Sequence, residues 1–253
     1  MHVAVWQWAI IAVCAVFVGM AKTGVPGLGI MVVPMMVCVT GQVLTASGVL
    51  LPLLCSADLF AVWYYRRNAS AWALWRLFPF VAIGGYGGWR VMGHVDNATL
   101  KFLVGAIVLV MVAVHVRRKS GKGDPLAPSW MLGAVYGLVA GFATMIANAA
   151  GPVMTVYLLS MSLPKDEFMG TGAWFFLMVN LSKVPAYLLL SPPIITGASL
   201  LIDLCVLPGI FLGALTGRQI YERMSQIWFE RVVLSLTVLS ALSLLRPKLM
   251  ALL

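Results

Sequence analysis

The stretch GMAKTGVPGLGIMVVP, residues 19–34, joins the end of one apolar run to the start of another through a break rich in Gly and Pro. A matching stretch, GFATMIANAAGPVMTVYL, occupies residues 141–158. The apolar run after each break is too short to cross a bilayer, since a spanning helix needs about 20 apolar residues. The pattern predicts broken or re-entrant helices at two matching positions of the chain.

The composition excludes a soluble domain of this length. Of the 253 residues, 62% are hydrophobic and only 10% are charged, and the mean hydropathy is +0.98. Such a chain lacks the polar residues that would cover a soluble surface, so most of it must face lipid. The net charge of +9 comes from bases at the ends of apolar runs, which indicates membrane topology and no nucleic-acid partner.

Long runs of apolar residues divide the chain into about ten segments, so the predicted fold class is an all-α polytopic membrane protein. The start, MHVAVWQWAIIAVCAVFVGM, has no Lys or Arg before its apolar stretch and is expected to stay as a first helix. The predicted segments are 4–21, 27–40, 44–65, 72–92, 99–116, 130–146, 150–163, 169–190, 197–217 and 228–246.

The basic residues predict which way these segments run. If each segment is one crossing, eleven Lys and Arg residues fall on one side and four on the other. The larger group is expected in the cytoplasm, which places both termini on the periplasmic side of an inner membrane. The larger group is Arg66, Arg67, Arg76, Arg117, Arg118, Lys119, Lys122, Lys165, Arg218, Arg223 and Arg231, and the smaller is Arg90, Lys101, Arg246 and Lys248.

The sequence contains an internal repeat. Gly19 and Gly141 are 122 residues apart, as are Gly29 and Gly151; Gly84 and Gly213 are 129 apart, as are Gly88 and Gly217. We interpret 1–116 as a first repeat, 117–129 as a cytoplasmic linker and 130–253 as a second repeat. With five segments each, an odd number, the repeats are expected to be inverted, an architecture typical of secondary transporters whose substrate binds where broken helices meet.

Two segments and several flanking motifs resemble the TauE/SafE family of membrane proteins, also called the sulfite exporter family. The resemblance rests on five stretches of the sequence. They are 19–34, 141–158, Ala46-Ser47-Gly48, YYRRNASAW at 64–72, and Asn180-Leu181-Ser182-Lys183-Val184-Pro185, which is similar to the family's N..K.P segment. The resemblance implies transport of sulfur-containing anions such as sulfite, sulfoacetate or other organosulfonates. Lys22 and Pro26 depart from the commonest form of the first Gly-rich stretch.

Two lysines fall inside predicted membrane segments, Lys22 in the first repeat and Lys183 in the second. A lysine at the centre of a spanning helix costs about 2.5–3.5 kcal/mol on insertion scales, so its presence calls for a reason. A bound small anion is one reason. The alternative is that Lys22 reaches an interface and that Lys183 pairs with Asp58 or Asp203 as a structural bridge.

The backbone near both breaks favours the anion. Helices that begin after Pro26 and Asn148 would point free N–H groups at one cavity, and small residues would let an oxyanion approach. Neutral hydrogen bonds would come from Thr23, Asn148, Asn180 and Ser182, each of which could equally join helices. The predicted substrate-binding residues are Lys22, Thr23, Gly24, Pro26, Gly27, Gly29, Asn148, Ala149, Gly151, Asn180, Ser182 and Lys183.

Asp58 and Asp203 are predicted to be intramembrane carboxylates. There are two hypotheses for their role: proton coupling, or an ion pair with a lysine. No metal, cofactor or catalytic set is indicated: there is no HExxH and no Ser/His/Asp arrangement, and the four cysteines are scattered through apolar runs. The sequence therefore predicts a transporter, with export as the default direction and proton-coupled uptake or another small anion as alternatives. A membrane enzyme and a scaffold are the competing classes, and a homodimer remains open.

We expect topology reporters to place both termini outside the cytoplasm and the linker inside, because the positive-inside rule counts short basic loops. Reporter fusions after Gly121 and Leu253 test this prediction. A reporter that is active only in the cytoplasm should be active in the Gly121 fusion and inactive in the Leu253 fusion. The reverse pattern would also contradict the inverted repeat.

Overall fold

The computed structural model describes residues 4–41, 43–91, 94–117, 130–189 and 193–250, and within these ranges the chain forms ten α-helices and no β-strand. The all-α prediction is confirmed. The helices are α1 Val5–Thr23, α2 Val32–Thr40, α3 Val43–Tyr65, α4 Ala71–Val91, α5 Asn97–Arg117, α6 Trp130–Ala147, α7 Ala150–Ser160, α8 Lys165–Leu189, α9 Gly197–Arg223 and α10 Gln226–Met250.

Each predicted segment overlaps a helix in the described ranges, but the residues at which the helices begin and end differ from the predicted ones. Helices α8, α9 and α10 extend past the predicted segments at one end or both, because backbone hydrogen bonding continues where apolar side chains stop. The second segment begins with a 3-10 turn, Leu28–Met31, before α2. Of the predicted linker, Arg117 ends α5 and residues 118–129 lie outside the described ranges.

Six helices in the described part of the chain are long and apolar enough to cross a membrane: α1, α3, α5, α8, α9 and α10. Helices α2 and α7 have nine and eleven residues. At about 1.5 Å per residue neither spans a hydrocarbon core of about 30 Å. The chain is thus a multi-pass helical membrane protein, and the number of ten crossings remains a prediction.

The chain divides into two compact units that cut across the sequence repeats. The first unit comprises Met1–Ala69 and Met169–Ser225, and the second comprises Ser70–Phe168 and Gln226–Leu253. The first therefore contains α1, α2, α3 and α9 with nearly all of α8, and the second contains α4, α5, α6, α7 and α10. Each unit is built from helices of both halves of the sequence.

In the first unit, α1 packs against α9 through small residues. A Cβ added to Gly213 would overlap the Val16 carbonyl group, and one added to Gly217 would overlap the Met20 backbone. The contact nearer the C-terminus of α9 is also the one nearer the C-terminus of α1, so α1 and α9 run in the same direction. An apolar cluster that includes Cys14, Met36 and Ile210 surrounds this crossing.

In the second unit, α6 packs against α4 in the same way. A Cβ added to Gly84 would overlap the Leu138 carbonyl group, and one added to Gly88 would press on Phe142. Leu138 and Phe142 follow Val16 and Met20 by 122 residues, and Gly84 and Gly88 precede Gly213 and Gly217 by 129. The two crossings therefore use equivalent contacts at the offsets by which the predicted repeats align.

An interior proline also recurs at the same offset. Pro79 lies inside α4 and Pro208 inside α9, 129 residues further on. A proline removes one helical hydrogen bond and bends the helix, so α4 and α9 share this local feature as well.

We expect Gly84→Ala and Gly213→Ala each to destabilise the protein by about 1–3 kcal/mol, because a methyl group has no room beside the opposing carbonyl group. Thermal unfolding in detergent measures the effect. Gly87→Ala is the control, since in the described part of the chain no atom lies within 4 Å of a Cβ built at Gly87. Equal losses at Gly84 and Gly87 would contradict the packing role of the crossing.

Candidate functional site

The site forms where α3 and α8 run antiparallel in the first unit. Gly170, near the start of α8, packs against the Tyr65 carbonyl group at the end of α3. Further along α8, Ala173 and Leu177 join a small apolar cluster with α3 residues. The next turn of α8 carries Asn180, which the antiparallel arrangement brings opposite the middle of α3.

Asp58 is the centre of the polar contacts between these helices. Its side chain is 0% exposed. The Lys22 Nζ lies 2.7 Å from Asp58 Oδ1, and the Asn180 amide Nδ2 donates to Asp58 Oδ2 at 2.7 Å. Three helices, α1, α3 and α8, therefore meet at one carboxylate.

Lys22 is held from two sides. The Asp58 carboxylate is its ion-pair partner, and the Phe176 ring lies beneath its ammonium group, 4.1 Å from Nζ to the ring centroid. An aromatic face attracts a cation through its quadrupole. With a side chain only 12% exposed, Lys22 is fixed inside the unit and does not reach out to an interface.

Lys183 completes the cluster. It lies one turn after Asn180 on α8, is 8% exposed, and interacts electrostatically with Lys22 and Asp58. Cys55, one turn before Asp58 on α3, is near the same charges. Two lysines and one aspartate are therefore grouped in a largely buried part of the first unit.

The end of α1 is positioned by its neighbours. The Thr23 hydroxyl donates to the Gly19 and Ala214 carbonyl groups, and the Tyr65 hydroxyl donates to the Thr23 carbonyl at 2.6 Å. A Cβ at Gly24 would overlap the Gly217 backbone. Thr23 and Gly24 thus join helices, and by doing so they fix the position of the adjacent Lys22.

The helix that follows Pro26 differs from the prediction. Gly27 has a positive φ of 109°, a 3-10 turn occupies Leu28–Met31, and α2 begins only at Val32. A left-handed residue interrupts regular α-helix, which is the physical reason for the late start. Gly29 lies within the 3-10 turn and does not start an α-helix, while Pro26 and Gly27 are half-buried beside it.

The second break has the predicted form and lies in the second unit. Asn148 has a positive φ of 52°, Ala149 is the N-cap, and α7 begins at Ala150. No atom of the described residues lies within 4 Å of a Cβ added to Gly151. These three residues belong to the second unit, whereas Lys22 and Lys183 belong to the first.

Two other predicted residues, Ser182 and Asp203, have different surroundings from each other. Ser182 is exposed, and its hydroxyl donates to the Val179 carbonyl of its own helix at 2.7 Å. Asp203 is 6% exposed on the buried face of α9 between Ile202 and Val206. Among the described residues, neither carboxylate oxygen of Asp203 has a hydrogen-bond partner.

The sequence did not identify Phe176 or Cys55 as members of the site. A signal existed for both, since Phe176 precedes Asn180 by one helical turn and Cys55 precedes Asp58 by three residues. The pairing of Lys22 with Asp58 had no such signal, and the bridge considered from sequence had used Lys183. Within the described ranges no group of three His, Cys, Asp or Glu residues could hold a metal ion.

Comparison with known proteins agrees with the multi-pass architecture. A protein-family model described as Sulfite exporter TauE/SafE matches residues 11–244, nearly the whole chain. No curated protein and no solved structure matches. The match includes both Gly-rich breaks and every residue of the charged cluster, and we conclude that the chain belongs to the sulfite exporter TauE/SafE family of membrane transporters.

Proposed function

We propose that this protein is a secondary transporter that exports a small sulfur-containing anion, either sulfite or an organosulfonate such as sulfoacetate, across a bacterial inner membrane. The observation that carries the proposal is the cluster of Lys22, Asp58, Asn180 and Lys183. It is the charged group in the described part of the first unit that lies inside membrane-spanning helices and has a net positive charge.

A net positive charge inside a membrane protein is costly. The two lysines of the cluster outnumber its single acid, and an excess of positive charge is unfavourable in a medium of low dielectric constant. A bound anion removes that cost, and Asn180 and Lys183 lie on the same face of α8 to meet it. The cluster therefore favours an anion over a neutral or cationic substrate.

The inverted repeat is part of the proposal. Its support is the pair of equivalent crossings, α1 with α9 and α6 with α4, together with the matching prolines. Five helices in each repeat would make the second enter the membrane in the opposite sense, with both termini in the periplasm.

The direction of transport follows from the membrane potential. An inside-negative potential expels a monovalent anion with about 2.3 kcal/mol per 100 mV, so export needs no coupled ion. Counterflow in proteoliposomes with sulfite, sulfoacetate and a neutral sulfone tests the proposal. Exchange of the anions without the sulfone is expected, and exchange of neither anion would reject it.

Proton-coupled uptake is a second candidate, and Asp203 is the observation that favours it. A buried carboxylate without a hydrogen-bond partner is costly when ionised and is more stable with a proton. Asp58 is less suited to this role because Lys22 and Asn180 stabilise its ionised form.

We expect Lys183→Ala to weaken anion binding by about 1.5–3 kcal/mol, the range for a hydrogen bond to a charged group. Its thermal stability without anion should match or exceed that of the parent, because a costly buried cation is removed. Binding is followed by calorimetry in detergent and stability by thermal unfolding.

The matched control is Lys101→Ala, which removes a lysine of α5 in the second unit and should change neither quantity. Collapse of Lys183→Ala together with parental affinity in the surviving protein would make Lys183 a structural residue and not a ligand.

We expect Asp203→Asn to leave export unchanged. The amide removes a carboxylate that would be buried without partners, so thermal stability should not fall. Transport is measured in proteoliposomes with and without a proton gradient. Loss of gradient-driven accumulation with intact anion binding would favour proton-coupled uptake over export.

A further inference from the structure

We propose that the neighbouring ends of α3 and α9 form a binding site for the headgroup of an anionic phospholipid. The site assigns a partner, a membrane lipid with a negatively charged phosphate group, to four arginines of the first unit. They are Arg66 and Arg67 just after α3, and Arg218 and Arg223 in α9. The proposal is separate from the transported substrate and from the cluster around Asp58.

Aromatic contacts hold the two helix ends together. The Arg218 guanidinium group lies over the Tyr64 ring, with Cζ 3.6 Å from the ring centroid. The next residue of α3, Tyr65, packs edge-on against Tyr221 of α9, with 5.7 Å between the ring centroids. The arginines that follow Tyr65 and Tyr221 in the sequence therefore lie at the same end of this pair of helices.

These helix ends have an excess of positive charge. Arg218 forms an ion pair with Glu222, one turn further along α9. Arg66, Arg67 and Arg223 are exposed and form no ion pair with an acidic residue in the described ranges of the chain. A guanidinium group can bind a phosphate group through two parallel hydrogen bonds, so this group of arginines favours a phosphate-bearing ligand.

Exposed apolar side chains precede the arginines on both helices. On α3, Leu59 and Trp63 are 57% and 67% exposed and lie one helical turn apart, with Arg67 four residues further on. On α9, Phe211 and Leu215 are 48% and 42% exposed in the two turns before the first arginine. On spanning helices such side chains face acyl chains, while arginines at the helix ends reach the headgroups. This continuity favours a lipid over a free anion.

The membrane setting supports the same partner. Helices α3 and α9 are both long and apolar enough to cross a bilayer, so their last turns are expected at its surface. The four arginines belong to the group that the positive-inside rule predicts to be cytoplasmic. The cytoplasmic leaflet carries anionic lipids, which attract basic side chains that lie close to its surface.

Replacing one arginine on each helix should weaken the binding of anionic lipid. An arginine near a negatively charged surface contributes about fivefold in affinity, so Arg67→Gln with Arg223→Gln should weaken the binding of short-chain phosphatidylglycerol about 30-fold. The affinity for phosphatidylcholine with the same acyl chains should not change, because its headgroup has no net charge. Arg90→Gln is the matched control, since it removes an exposed arginine from the last turn of α4 in the second unit.

Calorimetric titration of each lipid into the purified full-length protein in detergent measures these affinities. Equal affinity of the parent for the two lipids, or an unchanged ratio of affinities in the double variant, would overturn the proposal. Inorganic phosphate that displaced phosphatidylglycerol at equal concentration would also overturn it, because the arginines would then bind a soluble anion.

A second measurement does not depend on the folding of the double variant. Added KCl screens exposed charges, so the preference of the parent for phosphatidylglycerol over phosphatidylcholine should fall as the KCl concentration rises. A preference that is insensitive to salt would contradict a site made of exposed arginines. Neither measurement depends on whether the protein exports an anion.

Discussion

Close approach of helix backbones at glycine is the constraint on which the rest of the first unit depends. In lipid the hydrophobic effect does not drive one helix onto another, so association relies on tight van der Waals packing. Gly213 and Gly217 of α9 allow contact with the α1 backbone, and Gly217 also receives Gly24 beyond the end of α1. This contact fixes the end of α1, and with it the position of Lys22 next to Asp58.

The ion pair that results is supported by the neighbouring side chains of α8. A buried pair loses much of its Coulomb attraction to desolvation unless the remaining lone pairs are satisfied. Asn180 satisfies the second oxygen of Asp58, and Phe176 contacts Lys22 on its free side. The polar contacts of the site therefore depend on the packing of α1, α3 and α8, which places these side chains next to one another.

The sequence was sufficient for the helices and for the existence of the breaks, because apolar run length and Gly-Pro interruptions are local signals. It was also sufficient to identify Lys22, Lys183 and Asp58 as residues that require partners. It was not sufficient to pair Lys22 with Asp58, since that contact depends on how α1 crosses α3. The 3-10 turn at Leu28–Met31 was missed for a similar reason, because Gly27 sets a local backbone geometry that apolar patterning does not report.

The composition of the two units has a consequence for biosynthesis. Helix α1 leaves the ribosome early, yet its partner α9 follows roughly 190 residues later, which corresponds to about 10–40 s at typical rates of synthesis. During that interval Lys22 can pair with Asp58 as soon as α3 is made, while the glycine-lined face of α1 remains without α9. Insertion of the first half must therefore yield a long-lived partial assembly, which the second half completes in both units.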